Sequence, residues 1–346
     1  MINGYIPAER FLPFLSWTAI ADLPDKSNTV IVLPTGAIEQ HGPHLPCSVD
    51  SVISSGVAGH ALARLPADIP AYAIPPITYG KSDEHLHFPG TLTLSGDTLL
   101  HTLLEIAESL YRAGFRKLLM INGHGGQPQV LQMASREMRL RHGDMILIPH
   151  DVFNVPNSEK QFLSPQEQKM AMHAGHSETA LMLALAPECV HMARAVANFP
   201  PPFPCPTLSK GRPAAAWASY DFGPSGVIGD PTPATLEQGQ GLLESLAVSW
   251  AQAISEIHRM EWLSVTNQAG ENTTGTALCS PHLPLPLLSK RNSDEKYAYS
   301  GLHDADPCDH RHLRILPRGG KIYFPHQLVC PGGTRRLLSG PGQRAV

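Results

Sequence analysis

Apolar and polar positions sort the first three quarters of the chain into two kinds of segment. Short runs dense in β-branched and aliphatic residues, "TVIVLP" (29–34), "RKLLMIN" (116–122) and "DMILIPH" (144–150), have the pattern of strands buried on both faces. "AYAIPPITYG" (71–80) reads as a further strand, followed by a long polar loop. Between these runs lie segments with helical spacing: "SVISSGVAGHALARL" (51–65), "SGDTLLHTLLEIAESLYRAG" (95–114) and "QPQVLQMASREMRLRHG" (127–143). In the second of these, Ser95 or Asp97 stands near the start and Gly114 at the end, as helix caps require. Strands alternating with helices of this length predict right-handed crossovers, hence an α/β fold: a mostly parallel sheet covered by helices on both faces, three layers in all.

A helix-rich part follows. "SETALMLALAP" (177–187) is apolar enough to be largely buried, and "ATLEQGQGLLESLAVSWAQAISEIHRM" (234–260) is a long amphipathic helix. The proline-rich "ANFPPPFPCP" (197–206) between them is expected to be an extended loop. No internal repeat is visible. From about residue 264 the periodicity fades, and Gly, Pro, Ser, Asn and Arg dominate. The expected division is a folded domain over residues 1–263 and a poorly ordered extension over 264–346. The extension holds Cys279, His282, Cys308, His310, His312 and Cys330, at spacings that match no common zinc module.

Composition narrows the function classes. A net charge of −4 gives no basic surface for nucleic acid. The six cysteines are scattered, without a CxxC pair, which fits free thiols in a reducing compartment. The opening "MINGYIPAERFLPFLSW" lacks a basic head followed by an apolar run, so no signal peptide is expected. No stretch approaches the eighteen or so uninterrupted apolar residues of a membrane span. These features predict a cytoplasmic protein with no nucleic-acid or membrane partner. Histidine is the unusual count, at eighteen.

Where the ionisable residues fall changes the picture further. "VLPTGAIEQHGPHLPCSVDS" (32–51) packs Glu39, His41, His44 and Asp50 directly after the first strand, in a stretch whose glycines and prolines forbid a long helix. "NGHGGQ" (122–127) follows another strand and carries His124 between glycines. In parallel sheets, ligands bind outside the carboxyl ends of the strands, so both loops should meet at one edge. Glu39 and His41, two apart, point the same way if the segment is extended. "HAGHSETALML" (173–183) adds His173 and Glu178 at the start of an apolar helix. Singly, each has a plainer reading: a loop histidine is usually a hydrogen-bonded surface group, and a glutamate at a helix start usually serves the helix dipole. Jointly, three loops delivering acids and imidazoles to one sheet edge point to metal. Imidazoles and carboxylates without thiolate suit zinc, manganese or iron. A shared carboxylate would hold two ions about 3.5–4 Å apart, an arrangement suited to hydrolysis by a metal-activated water.

At these residues the chain resembles the creatininase (creatinine amidohydrolase) family. "LPTGAIEQHGPHLPCSVD", "EHLHFPGT" (84–91), "INGHGG", "HAGHSET" and "GDPTPATLEQG" (229–239) are similar to its signatures and stand in the same order, over roughly residues 10 to 262. The resemblance implies an α/β/α sandwich, often a homohexamer, with two divalent ions per subunit at the sheet edge; zinc is the first expectation, manganese or iron the alternatives. It places the metal ligands on Glu39, His41, Asp50, His124 and Glu178, with Asp50 as the bridge, and the catalytic roles on His173, the proton-handling residue, and Glu178.

Three positions depart from the creatininases proper. Gly126 stands where they carry a glutamate, and Lys169 and Met172 occupy the places of a tryptophan and a glutamate ahead of His173. These departures leave the substrate open. The expected activity is hydrolysis of a C–N amide bond, other than a peptide bond, in a small cyclic or linear amide. The alternatives are a peptidase or formamide hydrolase of cofactor biosynthesis, as in relatives within the family, or a non-catalytic metal-binding relative.

Overall fold

The structure is a computed structural model that describes residues 2–209 and 212–261. The expected extension over 264–346, with its cysteines and histidines, lies outside the described residues. Seven α-helices are described: α1 (Trp17–Ala21), α2 (Val49–Ala63), α3 (Gly96–Arg112), α4 (Pro128–Arg141), α5 (Pro165–Met170), α6 (His176–Leu185) and α7 (Leu236–Arg259). The strands are β1 (Val30–Thr35), β2 (Ala71–Ala73), β3 (Lys117–Asn122) and β4 (Ile146–Asp151). They form one parallel sheet in the order β2-β1-β3-β4, with Val30 level with Ala71 and Lys117, and Lys117 level with Ile146. The expected α/β sandwich is present.

Side chains two apart on a strand share a face, and this alternation builds two cores. Val30 and Val32 of β1, with Leu119 and Ile121 of β3, pack with α2, α6 and α7, where Leu62, Leu181, Leu246 and Trp250 are buried. Ile31, Leu33, Leu118 and Met120 point the other way, onto Leu99, Leu103 and Ala107 of α3 and Leu131 and Met138 of α4. The helix ends are specified locally. Ser95 Oγ accepts from Thr98 N at the start of α3. At α7, Thr235 Oγ1 accepts from Gln238 N while Gln238 Oε1 accepts from Thr235 N, a reciprocal capping box. Buried Lys117 closes the far end of α7 by donating to the carbonyls of His258 and Met260.

Two boundaries differ from the sequence reading. β2 ends at Ala73, because Pro75 and Pro76 follow and proline cannot donate to a ladder. α2 begins at Val49, ahead of the expected 51, which puts Asp50 in its first turn and not in the preceding loop. No helix among the described residues is long and apolar enough to cross a membrane.

Candidate metal centre

Each candidate side chain is set by an element that ends or begins at the carboxyl edge of the sheet. Glu39 and His41 lie on the loop leaving β1, and Asp50 stands in the first turn of α2. His124 sits on the loop from β3 to α4. That loop is tied by Asn122, whose Oδ1 accepts from His124 N and Gln127 Nε2 while its Nδ2 donates to the His124 carbonyl. Gly123 permits the loop to touch α2: a Cβ there would stand 2.4 Å from the Asp50 carbonyl oxygen. Glu178 lies in the first turn of α6, whose leading N–H, from His176, is taken by the carboxylate of buried Glu167. His173 precedes α6 by a tight bend in which Ala174 has φ +54°.

These residues converge. His124 Nδ1 is 3.1 Å from Glu39 Oε2 and 3.2 Å from Asp50 Oδ2, and His41 Nε2 is 3.1 Å from Asp50 Oδ1. His41, His173 and Glu178 form a second group with donor atoms within 4.8 Å of one another. Glu39, His41, Asp50 and His124 are each at most 2 % exposed, so ionisable side chains that looked unsuited to a core are buried. His44 does not join them; its Nε2 pairs with Thr179 Oγ1 instead.

The donor set fits divalent metal. His41 Nε2, Asp50 Oδ2 and Glu178 Oε2 are buried without a hydrogen-bond partner, and unsatisfied buried polar atoms are costly unless an ion takes them up. The imidazoles are turned to offer lone pairs. His41 donates from Nδ1 to the Glu39 carbonyl, and His124 donates from Nε2 to the Lys81 carbonyl, leaving His41 Nε2 and His124 Nδ1 for the centre. Ser82 Oγ donates to Glu39 Oε2 and fixes that carboxylate. Burial opposes protonation of His41, yet Asp50, Glu178 and Glu39 hold it up at about 9. His124 is likewise held well above the usual histidine range, against the cost of burial, by Glu39 and Asp50. Burial works against the Glu39 charge too, but His124, by its charge and its hydrogen bond, keeps that carboxyl well below the carboxylate range. Glu178 is different: burial pushes it up to about 7, and the helix N-terminus does not offset this.

Sequence reasoning passed over three groups here. His85, on the 3₁₀ turn Asp83–His85, has Nε2 3.5 Å from Glu39 Oε1 and a ring centred 4.2 Å from that of His173. Gln40 bonds His85 Nδ1 from below. Glu84 reaches over His124, its Oε1 3.6 Å from Nε2. A Cβ on Gly126 would stand 1.8 Å from Glu84 Oε1 and 2.5 Å from His124 Nε2, so Glu84 fills the space that a side chain at 126 would need. The only signal for His85 and Glu84 was the motif "EHLHFPGT", which no periodicity distinguishes from an ordinary polar loop, and Gln40 stands unmarked between Glu39 and His41. A cavity of about 670 Å³ opens over Glu39, His85, His124 and Glu178. A second, of about 420 Å³, shares Gly125, Met172, His173, Glu178 and Arg212 with it.

Comparison with known proteins gives a consistent set of relatives. The family model for creatininase, creatinine amidohydrolase, matches residues 14–254. A mycofactocin precursor peptide peptidase of Mycolicibacterium smegmatis is 31 % identical over 229 residues, 65 % of this chain and 84 % of that one. The creatinine amidohydrolase of Pseudomonas putida is 31 % identical over 268 residues, 71 % of this chain and 96 % of that one. A solved structure of creatininase with Mn superposes with a TM-score of 0.60 at 30 % identity, covering 71 % of this chain and 98 % of that one.

Proposed function

The chain belongs to the creatininase family, and from that premise we propose that it is a metal-dependent amidohydrolase whose centre is formed by Glu39, His41, Asp50, His124 and Glu178. The observation that carries this reading is the convergence of His41 and His124 on opposite oxygens of Asp50, with lone pairs aimed inward and buried oxygens left unpaired. Glu39, Asp50 and His124 would hold one divalent ion, and His41, Glu178 and the other oxygen of Asp50 a second. Zinc or manganese suits this donor set, and iron is the further alternative. Bound there, the pair supplies Lewis-acid polarisation of a carbonyl and a more acidic water.

The remaining work falls to the chain's own residues. His173 donates from Nε2 to the Gln40 carbonyl, which leaves Nδ1 as a proton acceptor 3.6 Å from Glu39 Oε1. Burial, together with His41 and His85, holds its pKa well below the usual range, so the ring is neutral and ready to accept. It takes a proton as water adds to the amide carbon, then returns it to the departing nitrogen when the C–N bond breaks.

The substrate class follows from the room around the centre. A small amide such as a lactam or formamide fits the larger cavity alone. A short peptide is the second reading, favoured by a specific feature: the two cavities meet at His173 and Glu178, which provides space on both sides of a scissile bond. The 31 % identity to a peptide peptidase supports the same reading. Assembly into a homo-oligomer belongs to the proposal and is checked by light scattering.

The test is a screen of zinc- or manganese-loaded protein against creatinine, a small lactam, an N-formyl amine and di- to tetrapeptides. Hydrolysis of at least one probe, abolished by chelation and restored by metal, is the expected result. Metal binding with no hydrolysis of any amide would favour a non-catalytic binding role.

A further inference from the structure

Three groups of side chains in the centre have metal-ligand spacing, and one of them is Glu39, His85 and His173. Distance alone would make His85 a sixth ligand. Hydrogen-bond direction says otherwise. The Gln40 amide is oriented at both ends: Gly42 N donates to its Oε1 at 2.8 Å, and its Nε2 donates to the Gly226 carbonyl at 3.0 Å. Turning the amide over would set oxygen against oxygen and N–H against N–H, so the orientation is fixed. The same Nε2 lies 2.9 Å from His85 Nδ1, which must therefore accept. A neutral imidazole that accepts at Nδ1 carries its proton at Nε2.

His85 thus differs from its neighbours. His41, His124 and His173 each donate from one ring nitrogen to a backbone carbonyl and turn a lone pair inward. His85 turns an N–H inward. Its Nε2 makes no hydrogen bond to another described residue, and at 3.5 Å the Glu39 oxygen is too far to occupy it. The ring is 2 % exposed and lines the larger cavity beside Glu39, Asp50 and His124.

We propose that His85 is a further catalytic residue of this amidohydrolase: its Nε2–H, fixed by Gln40, donates a hydrogen bond to the substrate's carbonyl oxygen as negative charge develops on it. A preset neutral donor in a dry site costs no reorganisation as the charge appears, and removing one such donor typically lowers turnover by about a hundredfold. The proposal rests on the amide-hydrolase reading above, but its first test does not need a substrate.

That test is ¹⁵N NMR of the histidine-labelled, zinc-loaded full chain. The expected spectrum has His85 protonated at Nε2 and unprotonated at Nδ1; a proton at Nδ1, or Nε2 bound to zinc, would overturn the assignment. The second test uses substitutions and the amide hydrolysed best in the screen. His85→Asn is expected to keep wild-type zinc content and to lose about a hundredfold in kcat. His85→Gln, whose amide nitrogen can reach the place of Nε2, should recover part of that loss. Loss of zinc from either variant, or undiminished kcat in His85→Asn, would show that the residue is a ligand or merely packing.

Discussion

The two faces of the sheet are built differently. On one, α3 buries only five of its seventeen residues, a single stripe of Leu99, Leu103, Leu104, Ala107 and Leu110, and its first turn sends nothing to the candidate metal centre. On the other, α2 buries eleven of its fifteen, including Asp50, Ser51 and Ser54. Next to it, α6 delivers Glu178 to the same edge. A helix that only supports the sheet needs one apolar stripe and can leave the rest to water. A helix that must hold a carboxylate in place has to be gripped on several sides, because catalytic geometry tolerates only small displacements. The α2–α6–α7 side is therefore where chemistry and packing share residues, and the α3–α4 side is where they are separate.

This contrast can be broken or sharpened by experiment. The largest effect is expected at Asp50, which faces both His41 and His124. Asp50→Ala should lower hydrolysis by about a thousandfold or more, since each ion contributes several kcal/mol of charge stabilisation. Activity within tenfold of wild type would remove Asp50 from the bridging position. On the opposite face, Leu103→Ala should cost about 2–5 kcal/mol of stability in urea unfolding. The folded fraction should still bind metal normally, and a fall in its metal content would show that the two faces are not separate.

Two smaller effects sharpen the chemical side. His173→Asn should retain both ions while turnover falls by about a hundredfold, whereas Glu178→Gln should lose metal first. If His173→Asn empties the site with unchanged turnover per bound ion, His173 is a ligand. The mildest expectation is an acid slope from His44. Burial and the neighbouring His41 lower its pKa to about 4, below its value near 6.5 in the unfolded chain. The unfolded state therefore takes up the proton first as pH falls, and stability drops between about pH 6.5 and 4, by about 3 kcal/mol at most. His44→Gln should flatten that part of the stability–pH curve; an unchanged slope would assign it to other groups.

Legibility in the sequence follows the same division. β1, β3, β4, α3, α4 and α7 were readable because each carries a clean period of 2 or 3.6, or an unbroken apolar run. Glu39, His41, Asp50, His124, His173 and Glu178 were readable as candidates because they cluster after strands or before an apolar helix. A helix N-terminus favours an ionised Glu178, but the burial that lifts it to about 7 is a property of the packed helices and not of the local pattern. His85 and Glu84 sit on a short 3₁₀ turn inside a polar loop, and their meaning depends on contacts with Gln40 and Gly126, some forty residues away on either side. Nothing in their neighbours along the chain points there. Why Lys169 and Met172 replace the creatininase pair ahead of His173 has no account in the contacts seen here beyond Met172 lining both cavities.

Metal dependence is tested most directly by counting ions. Protein loaded with zinc and freed of excess should hold two equivalents per chain. Both should be removed by chelation together with hydrolysis of the best amide probe, and both should return with activity on reloading. A chelated chain that holds no metal and hydrolyses the same amide at an undiminished rate would contradict the assignment of Glu39, His41, Asp50, His124 and Glu178 as a catalytic metal centre.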